Sequence, residues 1–262
     1  KPSRATGQTS VPASKSHTIR AIAFSALASG ESRILNPLDS EDCRSAVTVY
    51  KGLGAGVKME DRLWTVSGFG GCPEAPRCLI DAGNSGTSCR IGLGSAAHLQ
   101  EGEARFDGDE QSRRRPMGPL LEALSNLGAR AYSENGNGCL PAVVAGPWKG
   151  GHTQVDGSTS QFTSSLLVNA PFGHGETFNE PVDLNEKPYV EMTLWWPDRL
   201  GLRYEREEYE RFCVPGRQKL DGFEIGIPAD FSSAAFLVAA GALPEGDILL
   251  EGLDMSDPQG DK

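Results

Sequence analysis

Four stretches share one grammar: Phe24–Leu35 (FSALASGESRIL), Gly94–Phe106 (GSAAHLQEGEARF), Ser164–Phe178 (SSLLVNAPFGHGETF) and Phe236–Leu250 (FLVAAGALPEGDILL). In each, small and medium apolar residues run into a glycine followed by an acid, and strand-forming residues follow. The glycines of those pairs are Gly30, Gly102, Gly175 and Gly246, separated by 72, 73 and 71 residues. A second marker, Leu-Gly after a helical pattern, falls at Leu53-Gly54, Leu127-Gly128 and Leu200-Gly201, separated by 74 and 73. Two independent markers with one period define a repeat of supersecondary units rather than generic alternation of helix and strand.

Working outward from the markers, each unit reads as a short strand, a helix opened by Ser, Thr or Gly, a glycine turn, a strand, a second helix and two more strands. Leu-Gly suits the second helix's C-terminus because glycine takes a positive φ at little steric cost. In the first unit the helices and strands fall at about residues 15–28, 32–35, 41–53, 56–59 and 63–67. The fold class is therefore α/β (α+β), built of repeated βαβαββ units, three of them complete between about Val11 and Gly216. A fourth is expected to start near Phe223, with a helix over 230–243 and a strand around Ile248, and to be cut short at Lys262.

Composition bounds the function. Hydrophobic content of 38% and charged content of 23% are ordinary for a water-soluble domain. No apolar run reaches the length of a membrane span and no signal-peptide pattern opens the sequence, so a cytoplasmic protein with no membrane partner is expected. The six cysteines are scattered without a C-x-x-C pair, which suits reduced thiols. The four histidines show no ligand spacing, so no metal site is expected. A formal charge of −10 argues against a nucleic-acid surface. Such a protein binds an anionic metabolite only by gathering its cations in one place, which makes the positions of Lys and Arg informative.

Three helix starts gather suitable groups. Val11–Arg20 (VPASKSHTIR) sets Lys15, Ser16 and Arg20 at a helix opening, where unsatisfied N–H groups and the helix dipole favour an anion. Asp81–Arg90 (DAGNSGTSCR) repeats the arrangement, with Gly83 and Gly86 permitting close backbone approach to a ligand. It lacks the glycine–lysine pattern of a nucleotide-binding P-loop. Ser158–Phe162 (STSQF) offers three hydroxyls and an amide. Each start taken alone also reads as an ordinary helix cap; three at equivalent places in three repeats read as a site. The run Arg113-Arg114-Arg115-Pro116 needs anions or carboxylates nearby, and Asp107, Asp109 and Glu110 are at hand to neutralise part of it. Pro116 is expected in the first turn of the following helix, and Lys187-Pro188-Tyr189 to open the matching helix of the third unit.

In this order, SKSHTIRA, GNSGTSCR, RRRPMG, TSQF, KPYVEMTL and ADFSSAAFLVAAGAL…QGDK resemble successive motifs of the 5-enolpyruvylshikimate-3-phosphate synthase family, over nearly the whole chain. Lys15-Ser16 favours this family over the related UDP-N-acetylglucosamine enolpyruvyl transferases, whose motif reads Lys-Asn. The resemblance implies a two-lobed molecule of which residues 14–227 form one complete lobe, with 1–13 and 228–262 belonging to the other and crossovers near 11–14 and 226–229. It implies transfer of the enolpyruvyl group of phosphoenolpyruvate to the 5-hydroxyl of shikimate 3-phosphate, with no metal or organic cofactor. By the same resemblance, Lys15 contacts both substrates. Ser16, Arg20, Thr159, Ser160, Gln161 and Tyr189 bind shikimate 3-phosphate, while Gly86, Arg115 and Gln161 bind phosphoenolpyruvate.

Three departures stand out. Thr159 replaces a serine and keeps the hydroxyl. Ile91, near the expected place of the inhibitor glyphosate, replaces a proline. Glu186 stands where the family often has serine, and a carboxylate there repels a phosphate unless it turns away. The chain alone is expected to be inactive yet to bind shikimate 3-phosphate; a non-catalytic anion-binding half-enzyme and a transferase with another acceptor, such as a UDP-sugar, are the competing readings.

Overall fold

A computed structural model describes residues 5–242 and 246–262. β1 (Thr6–Ser10) is followed by α1 (Lys15–Leu27), β2 (Ser29–Leu35), α2 (Glu41–Gly52), β3 (Gly56–Glu60) and β4 (Leu63–Phe69). The order returns in β5 (Ile80–Asp81), α3 (Gly86–Ala96), β6 (Ala104–Asp107), α4 (Gly118–Asn126), β7 (Arg130–Ser133) and β8 (Ala142–Ala145). It returns again in β9 (Gly151–Asp156), α5 (Ser160–Asn169), β10 (Thr177–Val182), α6 (Lys187–Leu200), β11 (Glu205–Glu207) and β12 (Arg211–Val214). β13 (Glu224–Gly226), α7 (Phe231–Gly241) and β14 (Asp247–Glu251) follow. The helix expected over 230–243 is α7, capped by Asp230; Leu243 lies outside the described residues, as do the first four residues of the segment 1–13.

The three four-stranded sheets obey one rule, with orders β13-β2-β4-β3, β5-β6-β8-β7 and β9-β10-β12-β11. A leading strand runs parallel to the second; the second is antiparallel to the fourth, and the fourth to the third. The first sheet corrects the sequence reading. Its leading strand is β13, more than 180 residues beyond β2, with Glu224 opposite Arg33 and Gly226 opposite Leu35. The strand before α1, β1, pairs instead with β14, Thr6 opposite Asp247 and Ser10 opposite Glu251. The fourth set of elements is thus β1, α7 and β14, and the strand near Phe223 does not open it. The connections into α1 and α7 run side by side: Ser14 N donates to Pro228 O at 2.8 Å and Asp230 N to Pro12 O at 2.9 Å.

Burial explains the layering. Eleven of thirteen residues of α1, ten of eleven of α3 and nine of ten of α5 are buried, so these are inner helices, mostly apolar or small all round, with Arg20 and Arg90 as buried cations among them. Only five of twelve residues of α2 and four of nine of α4 are buried, the pattern of one-faced outer helices. Close approach needs small residues. A Cβ on Gly92 would lie 2.4 Å from Val49, and one on Gly94 would lie 2.5 Å from the Asn169 amide. Beyond Gly94, Asn169 accepts from Ser95 Oγ at 2.8 Å, and Ser95 meets Tyr50 at 3.0 Å, so α2, α3 and α5 share one buried polar chain.

Helix ends follow local chemistry. Gly54, Gly128 and Gly201 have φ of +102°, +99° and +70°, the turn the Leu-Gly marker predicts. α4 begins at Gly118, two residues beyond Pro116, and Pro119 rather than Pro116 occupies its first turn. The arginine run instead forms a short 3₁₀ turn, Ser112–Arg114, whose first N–H, that of Ser112, donates to Asp109 Oδ1 at 2.8 Å. Pro188 sits in the first turn of α6, as expected. Near the far end of the chain, the carboxylate of Asp257 reaches the ring of the buried His17 at 3.1 Å and ties residues 254–262 to α1.

Candidate anion-binding site

The N-termini of the three inner helices are capped alike: Ser14, Ser85 and Thr159 accept from N–H groups of their own first turns. Between the starts of α1, α2 and α3 lies a cleft of about 610 Å³, whose lining includes Lys15, Asp42, Asn84, Gly86, Arg115 and Gln161. Four of the predicted residues, Lys15, Gly86, Arg115 and Gln161, therefore meet. Of the other five, Thr159 and Ser160 open α5 and Tyr189 lies in the first turn of α6, while Ser16 and Arg20 are on α1, where Arg20 reaches Tyr189 O.

Within the cleft, Lys15 is half-exposed and its ammonium reaches Asp42 at 3.2 Å. An exposed pair of this kind contributes at most about 1 kcal/mol, so a ligand anion can take its place. Arg115 donates to Asn84 O at 2.8 Å and to its side-chain oxygen at 2.6 Å. A Cβ on Gly86 would lie 3.0 Å from Arg115 Nη1 and 3.5 Å from Arg90 Nη1, which shows two guanidinium groups closing on the start of α3. Arg90 is buried, sits 4.9 Å over the Phe162 ring, and donates to Gln161 Oε1 at 2.7 Å and Pro116 O at 2.9 Å. Its pKa is lowered, chiefly by burial.

Arg20 turns inward rather than onto the first turn's surface. It is 2% exposed and donates to Thr193 Oγ1 at 2.9 Å, Ser16 O at 3.0 Å, Tyr189 O at 3.2 Å and Ser164 Oγ at 3.4 Å. Burial pushes its pKa down to about 10. Every one of those acceptors is neutral, and a buried cation without a counter-charge is costly. Arg113 and Arg114 differ. Arg113 makes two bonds to Asp107, at 2.8 and 2.7 Å, and Arg114 pairs with Glu110. Arg20, Arg90 and Arg115 make no ion pair among the described residues.

At the start of α5, Thr159 Oγ1 accepts from Gln161 N at 3.4 Å. Glu186 does not turn away. Its Oε2 accepts from Ser160 N at 3.2 Å and from Ser160 Oγ at 2.9 Å, although Glu186 itself is at φ +53°, ψ +40° in the loop before α6. Arg90, Asn84 and Asp42 were not assigned roles from sequence. Arg90 had a signal, since it sits about a turn and a half into α3 much as Arg20 does in α1; the partners of Lys15 and Arg115 had none.

A larger groove of about 680 Å³ lies between the first sheet and the two connections. Its lining includes Asp39, Glu60, Asp61 and Glu251 against one cation, Arg62, so it does not suit an anion. No cluster of metal-ligating side chains occurs among the described residues, and no helix there is long and apolar enough to cross a membrane.

Fold and cleft define a repeat-built α/β protein with unneutralised arginines at its inner helix starts. Residues 1–262 match the family model described as EPSP synthase (3-phosphoshikimate 1-carboxyvinyltransferase), and the chain belongs to that family. It is 49% identical to the 3-phosphoshikimate 1-carboxyvinyltransferase of Acetivibrio thermocellus, over 99% of this chain and 61% of that protein. The corresponding protein of Ruminiclostridium cellulolyticum is 47% identical over 98% of this chain and 60% of its own length. Among solved structures, EPSP synthase from Acinetobacter baumannii superposes with a TM-score of 0.84 at 26% identity, over 96% of this chain and 57% of that one. The chain thus spans about three-fifths of the length of these relatives.

Proposed function

We propose that the chain forms the shikimate 3-phosphate side of an enolpyruvyl transferase that moves the enolpyruvyl group of phosphoenolpyruvate to the 5-hydroxyl of shikimate 3-phosphate and releases phosphate. Residues 14–227 form one lobe; 1–13 and 228–262 belong to a second, which supplies the rest of the cleft. The observation that carries the reading is the trio Arg20, Arg90 and Arg115. In a protein of net charge −10 these three make no ion pair among the described residues; Arg90 and Arg115 close on the start of α3, and Arg20 is buried against the first turns of α1 and α6. Both substrates carry a phosphate and a carboxylate, and fixed cations aimed at them provide binding and electrostatic stabilisation together.

In this reading Lys15 spans both substrates. Ser16, Arg20, Thr159, Ser160, Gln161 and Tyr189 serve shikimate 3-phosphate; Gly86, Arg115 and Gln161 serve phosphoenolpyruvate. The proton-transferring carboxylates belong, by the family resemblance, to the other lobe, so these 262 residues bind and do not turn over.

Two measurements on this chain test the proposal. Millimolar shikimate 3-phosphate is expected to raise its melting temperature, and shikimate lacking the phosphate is not. Equal shifts for the two compounds mean that no phosphate is read. Phosphate release from the two substrates is expected to stay at background, because general acid–base catalysis alone contributes about 10²–10⁴-fold; turnover by this chain alone overturns the division of labour between lobes.

A further inference from the structure

We propose that the Glu186 carboxylate is a resident anion at the start of α5 that competes with the phosphate monoester of the ligand. The inference rests on the reading of Ser160 as a phosphate-binding residue. Ser160 is 2% exposed, and both of its donors, the backbone N–H and the hydroxyl, converge on Glu186 Oε2. The neighbouring N–H, that of Gln161, is already held by Thr159. A carboxylate oxygen taking both donors of one N-terminal serine occupies the place of a phosphate oxygen, with the same charge sign and the same acceptor-only chemistry.

Backbone geometry supports this use of the side chain. Glu186 is the N-cap residue of α6 but makes no side-chain cap bond there; it caps α5 across the gap instead. Glu186 and Asp183 both have φ of +53°, so the loop 183–186 holds two non-glycine residues in the left-handed region. The charge is felt locally, since Glu186 raises the pKa of Arg90 against the larger, lowering effect of burial. For a phosphate to reach Ser160, the Glu186 side chain must swing out and surrender both bonds. Any phosphate that binds without this displacement meets a like charge.

Binding of shikimate 3-phosphate, shikimate and inorganic phosphate to the full-length protein, measured by calorimetry for the wild type, Glu186→Gln and Glu186→Ser, tests the idea. Glu186→Gln keeps a carbonyl acceptor for Ser160 and removes the charge; Glu186→Ser removes both and leaves the site open. Shikimate 3-phosphate is expected to bind about tenfold more tightly to Glu186→Ser, equivalent to about 1.4 kcal/mol, and several-fold more tightly to Glu186→Gln. Inorganic phosphate should follow the same order, and shikimate should not change. A purely structural Glu186 would alter melting temperature and leave this phosphate selectivity unmoved. If shikimate 3-phosphate binds the wild type and both variants equally, or the variants more weakly, Glu186 is no competitor and the site assignment stands. If none of the three proteins distinguishes shikimate 3-phosphate from shikimate, the assignment of Ser160 fails and the inference with it.

Discussion

Arg115 shows what one side chain's neighbours decide. Three adjacent arginines look alike in sequence, yet Asp107 engages Arg113, Glu110 engages Arg114, and Arg115 is left facing the cleft against a neutral partner, Asn84. In the full-length protein, Arg115→Lys is expected to raise the Michaelis constant for phosphoenolpyruvate by about tenfold or more, since a lysine cannot present two parallel donors. Arg113→Lys and Arg114→Lys should change it little; similar effects from all three would reduce the run to a basic patch. The position of Lys15, Gly86 and Ser160 at helix starts was legible at this scale, because the motifs announce those starts. Their partners were not. Asp42 lies 27 residues from Lys15, Gln161 lies 71 from Arg90 and Glu186 lies 26 from Ser160. No helical or strand period reports such a distance. The inward turn of Arg20 was likewise invisible, since spacing along a helix does not tell which face the neighbouring unit covers.

Among the elements, the repeat was readable because each unit must rebuild the same junctions. One junction shows how strictly. At the end of the fourth strand of each unit the chain crosses the segment that follows the inner helix, and a glycine stands there: Gly68 within β4, and Gly146 and Gly216 just beyond β8 and β12. A Cβ at these positions would lie 2.1, 2.1 and 2.4 Å from the carbonyl oxygens of Ala28, Leu99 and Gly175. Backbone cannot step aside as a side chain can, so Gly68→Ala is expected to cost about 1–3 kcal/mol or more, the overpacking range. Chemical denaturation measures this directly; a loss below 0.5 kcal/mol, roughly that of a neutral surface change, would mean that the strand slides to make room. The repeat placed the strands of the first unit and those near Phe223 and Ile248, but not which sheet β13 joins. Pairing at a sheet edge depends on the path of the connections, and nothing in β13's three residues distinguishes the sheet holding β2 from the one holding β14.

At the scale of the whole molecule, acid stability follows from the buried junction between the second and third units. His98 is 2% exposed, stacks on Trp148 with ring centroids 5.3 Å apart and meets Asn169 O at 3.1 Å. Burial pushes its pKa down to about 4 from an ordinary 6.5. Below about pH 6.5 the unfolded chain therefore takes up a proton that the folded one refuses. The stabilisation is complete above that pH and drains away as pH falls towards 4, at up to about 1.4 kcal/mol per unit. His17 is shifted the same way, burial outweighing the pull of Asp257. Urea unfolding at pH 7, 6 and 5 is expected to show the decline, and His98→Gln, less stable at pH 7, should show a shallower one. An unchanged slope in that variant would locate the acid sensitivity elsewhere.

The exchange of leading strands bears on synthesis. β2 leaves the ribosome early, but β13, which covers one of its edges, is made more than 180 residues later. At roughly 5–20 residues per second, that edge of a nascent β-sheet waits on the order of 10–40 seconds with its N–H and C=O groups unpaired. β1 waits longer still for β14. The interval is long enough for another chain to pair first, so heterologous expression is best slowed by low temperature only where chaperones are plentiful, since cooling lengthens the delay as well as weakening the hydrophobic attraction that drives aggregation.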